Sequence, residues 1–301
     1  MTLMELWVIL SFAAAFLQNL RSVLQKHLKA RLSNWGATSA RFVFAAPLAA
    51  LIVAGLSLLR DTAPPSPDFI FFIYACLGGL AQIGATALLL HLFSFRNFAV
   101  GTILSKTETV QSAILGFVLL SETISARAIF AISVSLIGLI LLSLPAGTIS
   151  RRNWIDRTAF LGLASGACFA AADVSYRAAS LSLPGGDFLM RAAVTLSFVT
   201  LFQALVMCVF LALREPQQLR RLFSAWRISA LAGLAGGLAS FGWFAAMTLQ
   251  KAVLVKAVGQ IEVVFSFAAS LLFFRETIRP HETIGILLIT AGILLLIGTT
   301  S

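Results

Sequence analysis

The sequence predicts an all-α membrane protein of ten transmembrane helices, arranged as two inverted five-helix repeats. Three observations carry this. Of 301 residues, 59% are hydrophobic and only 11% are charged, against roughly 25% charged in an ordinary soluble domain. The apolar residues fall in runs of about 20, each long enough to cross a ~30 Å hydrocarbon core as a helix. The later part of the chain also repeats the earlier part.

The ten runs cover residues 3–27, 36–59, 69–92, 98–119, 127–145, 158–180, 187–212, 228–249, 252–273 and 281–299. A soluble fold could not keep so much apolar surface from water. The first run continues into Gln18, Asn19 and Arg21 with no basic leader or small-residue cleavage site, so it reads as a retained helix rather than a signal peptide. The longest connections are 145–157, with Arg151, Arg152 and Arg157, and 213–227, with Arg214, Arg220, Arg221 and Arg227. Neither is long or polar enough for a soluble domain, and the chain divides into halves 1–146 and 147–301. Cys76, Cys168 and Cys208 all fall inside apolar runs, without the spacing of a disulfide or a metal site.

Residues 108–142 align without gaps to 262–296, at an offset of 154. Glu108 matches Glu262, Ser112 matches Ser266, Glu122-Thr123-Ile124 matches Glu276-Thr277-Ile278, and Gly138 matches Gly292. Earlier in each half, Lys26 pairs with Arg177 and Arg41 with Arg191. Five helices per half is an odd number, so the second half must enter the membrane from the opposite face. That is the inverted repeat of many secondary transporters.

The matched residues resemble the EamA-type ten-helix members of the drug/metabolite transporter superfamily. That pattern has a basic residue late in the first helix of each half and an arginine in the second, as Lys26 and Arg41, then Arg177 and Arg191, provide. The segment through the fourth helix and the following hairpin reads Glu108-Thr109…Ser121-Glu122-Thr123-Ile124 and Glu262-Val263…Arg275-Glu276-Thr277-Ile278. The resemblance covers essentially the whole chain. It departs where the usual proline is Thr109 or Val263, and where the glycine before the hairpin glutamate is Ser121 or Arg275, which weakens any expectation of a proline-based helix break. The resemblance implies a metabolite transporter, commonly an exporter of amino acids or similar small amphiphiles.

Glu108 and Glu262 fall near the middles of the fourth and ninth runs, where an ionised carboxylate is costly and usually faces a bundle interior or wet cavity. Lys106 and Gln111 share the fourth run; Lys256 and Gln260 share the ninth. Gln111 is three residues from Glu108 and Gln260 four from Lys256, so each pair shares a helix face. Asn19 beside Gln18, Asp173, Tyr176, Gln82 and the mid-helix Trp243 complete a candidate lining. Together these groups predict a central polar cavity that binds substrate or shuttles a proton. The competing reading is an internal ion-pair network, with the lysines snorkelling, Asp173 in an interhelical hydrogen bond and Trp243 in packing. Glu122 and Glu276 sit in tight hairpins and read as structural, with Ser125 as an N-cap and Pro280 in a first helical turn. Arg41 and Arg191 read as interfacial anchors. Trp7, Trp35, Trp154 and Trp226, near helix starts, suit the membrane interfaces.

No Walker A, HExxH, GxSxG or CxxC motif is present, and Asp173 is the only deep aspartate. No enzyme chemistry, cofactor or metal is therefore expected. The net charge of +10 sits in short loops, which points to an anionic membrane surface rather than nucleic acid. The expected partners are a small-molecule substrate, the lipid bilayer and protons as a candidate coupling ion, for a monomer or homodimer working by alternating access. Deep Lys106 and Lys256 would also suit a nucleotide-sugar or other anionic-metabolite carrier. A non-transporting structural membrane protein would instead be packed solid at its centre.

Orientation follows from the basic residues. With ten spans the termini share a face, whose loops hold Arg60, Arg127, Arg177 and Lys251, while the opposite loops hold thirteen: Lys26, Lys29, Arg31, Arg96, Arg151, Arg152, Arg157, Arg214, Arg220, Arg221, Arg227, Arg275 and Arg279. The positive-inside rule then puts the loops 145–157 and 213–227 in the cytoplasm and both termini outside the cell membrane. Many ten-helix relatives point the other way; the charge count acts on this chain's own loops and is favoured here.

Overall fold

The computed structural model describes residues 3–92, 95, 98–143, 157–274 and 280–300. Among them every regular element is a helix: α1 (Leu3–Leu28), α2 (Asn34–Arg60), α3 (Phe69–Leu92), α4 (Phe98–Ser105), α5 (Glu108–Leu120), α6 (Ala126–Leu142), α7 (Arg157–Ser182), α8 (Phe188–Arg214), α9 (Pro216–Ser224), α10 (Trp226–Leu249), α11 (Ala252–Gly259), α12 (Ile261–Phe274) and α13 (Pro280–Thr300). Helices suit this composition because a spanning segment must satisfy its backbone hydrogen bonds internally. Among the described residues, eight stretches are long and apolar enough to cross a membrane. The helix α6, at 17 residues, is shorter. Loop 145–157 up to residue 156, with Trp154, and the second hairpin with Glu276 and Arg279 lie outside the described residues.

Two expectations change. The runs 98–119 and 252–273 are not single helices; each is divided, between α4 and α5 and between α11 and α12. Connection 213–227 is not an open loop, because it contains α9.

The chain folds as two compact units, with the divisions falling inside α1, α3 and α7 and between α10 and α11. Unit 1 comprises residues 1–8, 81–174 and 250–301; unit 2 comprises 9–80 and 175–249.

In unit 1, α6 packs along α13. A Cβ added to Gly138 would lie 2.6 Å from the Gly285 carbonyl oxygen, and one added to Gly285 would lie 2.8 Å from that of Gly138. The two backbones thus touch directly, as small residues allow between membrane helices. Ser125 caps α6, accepting from the Ala128 amide at 3.2 Å, and α13 begins at Pro280, both as the sequence indicates. The α5–α6 hairpin opens with Ser121 in the left-handed region, at φ 54°, and the Glu122 amide donates to the Gly116 carbonyl at 3.1 Å.

In unit 2, α2, α8 and α10 pack on one another. The amphipathic α9 buries Leu222 with Leu28, Leu32, Ala37, Ala40, Ala225 and Ala232, and leaves Arg220 and Arg221 exposed. It is fixed to the α1–α2 turn, where the Ser33 hydroxyl donates to Glu215 Oε2 at 2.5 Å and the Ser33 amide donates to Gln218 Oε1 at 3.0 Å. The α7–α8 turn places Gly185 and Gly186 at φ 75° and 74°, a conformation open to glycine. Arg191 Nε donates to both of their carbonyls, at 3.0 and 3.1 Å, as an end-of-helix anchor would. Asp187 caps α8, accepting from the Met190 amide at 3.1 Å, and pairs with Arg60.

Candidate substrate site

The site in unit 1 begins with the two helix interruptions. Ser105 ends α4 and Gly259 ends α11; these residues are also 154 apart, so the breaks occupy equivalent positions in the repeat. No proline causes them. At the first, Lys106 and Thr107 amides donate three residues back, to Ile103 and Leu104 carbonyls at 3.1 Å, a tightening of the helix to a 3₁₀ turn. The Thr107 hydroxyl reinforces it by donating to the Leu104 carbonyl at 2.6 Å. At the second, the Gln260 amide donates to the Ala257 carbonyl at 3.3 Å and the Val263 amide to the Gln260 carbonyl at 3.0 Å. Glu108 and Glu262 are consequently not mid-helix residues. Each stands in the first turn of the second segment, where the positive end of the helix favours a carboxylate.

Lys256, in the last turn of α11, joins two other helices. Its ammonium lies 3.2 Å from Glu108 Oε1 of α5 and 3.3 Å from Asp173 Oδ2 of α7. Asp173 is buried, at 7% exposure. The approach of α7 to the first break depends on Gly166, where an added Cβ would stand 2.8 Å from the Ser105 carbonyl oxygen and 3.4 Å from the Glu108 amide. The cluster holds two acids against one base. An uncompensated buried charge is expensive, so such a group invites a further proton or cation.

Further polar side chains belong to the same unit. Buried Gln260 accepts from the Ser135 hydroxyl at 2.6 Å, and its Nε2 lies 3.5 Å from Thr109 Oγ1. Ser135 belongs to α6. Gln111 Nε2 donates to Thr107 Oγ1 at 2.8 Å and to the Leu163 carbonyl at 3.4 Å. Lys106 is half-buried at the first break, and Glu262 and Gln82 of unit 1 are also half-buried. Among the described residues no cluster of His, Cys, Asp and Glu could hold a metal.

The structure thus brings Glu108, Asp173, Lys256, Gln111 and Gln260 into one unit. Asn19, Tyr176 and Trp243 belong to unit 2. There, Trp243 Nε1 donates to Gln18 Oε1 at 3.0 Å, and Tyr176 donates to the Gly78 carbonyl at 3.0 Å while accepting from Gln203 Nε2 at 3.3 Å. Tyr176 is a buried packing residue, with its ring 4.6 Å from that of Phe244.

Sequence reasoning missed Ser135, Thr107 and Thr109. The repeat offers no help with Ser135, whose counterpart is Ile289. Ser112, which the repeat did single out, is buried one turn after Glu108, and its hydroxyl has no hydrogen-bond partner among the described residues.

Long apolar helices interrupted at repeat-related positions, with ionisable groups gathered at the breaks, define an integral membrane protein of the transporter class. The chain belongs to the EamA-like transporter family, whose model matches residues 5–144 and again 157–298. It is accordingly a membrane transporter of small solutes, with a two-repeat architecture. A solved crystal structure is similar, with a TM-score of 0.73 at 14% identity, across 96% of this chain and 95% of its own; at that identity it speaks for the fold alone. No curated protein matches the sequence.

Proposed function

We propose that the chain is a secondary carrier of ten spans, built from inverted repeats 1–146 and 147–301, that exports small amino-acid-like or amphiphilic solutes by alternating access. Glu108, Asp173 and Lys256 form the centre of its site, and Glu262, Lys106, Gln111, Gln260 and Gln82 of the same unit complete the candidate lining. One observation carries this reading: Lys256 is held between Glu108 and Asp173 where both repeat-related spans are interrupted.

The excess acid of the cluster gives it a use for a proton or a solute ammonium group. Binding either one neutralises the cluster, and releasing it restores the charge, which is the kind of change that biases a two-state carrier. Interrupted helices also free backbone groups for a solute at membrane depth. The same geometry weighs against Lys256 as the ligand of an anionic metabolite, because two carboxylates already engage it. The unpartnered Ser112 hydroxyl supports a binding site over a purely structural network, since a buried polar group without a partner needs a reason.

The test is uptake into proteoliposomes from a metabolite panel, with and without an imposed pH gradient. Accumulation of a zwitterionic or cationic solute that the gradient enhances fits the proposal. Uptake of anionic sugars alone, or of nothing in the panel by folded protein, contradicts it.

A further inference from the structure

Unit 2 has a charge problem opposite to that of unit 1. Its sequence holds four carboxylates, Asp61, Asp68, Asp187 and Glu215, and all stand at or beyond helix ends. Asp187 pairs with Arg60 there, and Glu215 accepts from Ser33. Inside the helices the unit carries only basic charge, including Arg21, Arg41, Arg177 and Arg191. Two of these are engaged by backbone oxygens: Arg177 donates to the Met247 carbonyl, and Arg191 to those of Gly185 and Gly186.

Arg21, whose Nη2 lies 3.5 Å from Ser22 Oγ, converges with Arg41. Arg21 lies seven residues before the end of α1 and Arg41 seven residues into α2, about 10 Å from those ends at 1.5 Å per residue. Both reach α10 at Gly236, where an added Cβ would stand 3.0 Å from Arg21 Cδ and 3.3 Å from Arg41 Cγ. The glycine lets both stems pack closely against α10. The Arg41 guanidinium lies 4.7 Å from the Phe42 ring centroid, and among the described residues it has no carboxylate and no hydrogen-bond acceptor. Two like charges brought together at membrane depth repel, and the repulsion is relieved by an anion between them. The planar fork of a guanidinium matches the paired oxygens of a carboxylate or phosphate.

We propose that Arg21 and Arg41 form a binding site for an anionic group, carboxylate or phosphate, carried by a small solute. This goes beyond the reading of Arg41 as an interfacial anchor. It rests on the carrier reading only in taking the anion to be part of the cargo. Nothing in it requires Lys256.

The test uses the full chain purified in a neutral maltoside detergent, at fixed ionic strength, with thermal unfolding as readout. The probes are benzoate, its uncharged isostere benzamide, inorganic phosphate and, separately, phosphatidylglycerol. The expected result is a concentration-dependent rise in Tm with benzoate or phosphate, none with benzamide, and loss of the rise in Arg41→Gln. If that variant does not fold, Arg41→Lys serves: it keeps the charge but not the fork, so a given anion concentration should produce a smaller rise. Equal shifts with benzoate and benzamide, no shift at all, or an anion response undiminished in the tested Arg41 variant would overturn the proposal. A shift with phosphatidylglycerol alone would overturn it in favour of a lipid headgroup. Binding in detergent needs no transport. An absent anion shift beside intact uptake therefore sinks this site alone, and an anion shift without uptake of any solute sinks the carrier reading alone.

Discussion

Lys256 decides the electrostatics of its unit, because among the described residues it is the one base within 3.3 Å of both Glu108 and Asp173. Charge arithmetic separates its variants from those of its partners. Glu108→Gln or Asp173→Asn leaves one acid facing one base, a balanced pair that should fold. Lys256→Met leaves two acids with no base, and an uncompensated buried charge costs about 3–5 kcal/mol. We predict that Lys256→Met lowers the yield of monodisperse protein and the Tm far more than either acid variant. Lys256→Met combined with Glu108→Gln and Asp173→Asn should recover much of that loss. Equal Tm values for all three single variants would contradict the pairing. The members of this cluster were legible in the sequence as ionisable residues inside apolar runs. Their juxtaposition was not, because it depends on how closely α7 approaches the first break. That distance is set by Gly166, and a glycine in an apolar run gives no periodic signal. Ser135 escaped for a similar reason: one hydroxyl in an apolar helix most often turns back on its own backbone.

At the scale of elements, the apolar spans were legible from length, and the repeat located the equivalence of the breaks without revealing them. A tightened turn marks each interruption, reinforced at the first by the Thr107 hydroxyl, and neither contains a proline, so the residue that usually signals a break was missing. The helix α9 was hidden because nine residues rich in arginine and glutamine resemble a loop until Leu222 is seen to be buried.

The contact of α6 with α13 makes a quantitative prediction. Gly138→Ala puts a methyl group 2.6 Å from the Gly285 carbonyl oxygen, and overpacking of this kind costs about 1–3 kcal/mol. Gly55→Ala, where no atom lies within 4 Å of the added carbon, should be neutral or slightly stabilising. Thermal unfolding of the two variants side by side checks the contrast.

The Asp187 turn adds a pH-dependent term. Its carboxyl is held below the usual carboxylate range, chiefly by its hydrogen bond with Arg60 and further by the Met190 amide. A group whose folded-state pKa is depressed stabilises fully above its unfolded value, about 3.9, and that stability is lost as pH falls through the folded pKa. The contribution should therefore be constant through neutral pH and decline below about pH 4. Asp187→Asn keeps an N-cap and loses the ion pair, which at an exposed site is worth about 0–1 kcal/mol. Asp187→Ala loses the cap as well, for about 1 kcal/mol more. A Tm ordering with Asn below Ala would contradict this division of roles.

For the whole molecule, the sequence supplied class and repeat because lipid imposes a length and a composition on every span. Orientation rests on charge in the loops. Thirteen basic residues on one set of loops against four on the other predict both termini outside. A reporter active only outside the cytoplasm, fused after Ser301, should be active; a silent outer reporter with an active cytoplasmic one would contradict the prediction. The central claim is that the chain moves a solute and that the Glu108–Lys256–Asp173 cluster takes part in the movement. Solute counterflow in proteoliposomes tests it most directly, comparing the unaltered chain with Glu108→Gln at matched protein density and matched Tm. The account predicts counterflow of at least one zwitterionic or cationic solute by the unaltered chain and its loss in the variant; equal counterflow by both proteins would contradict it.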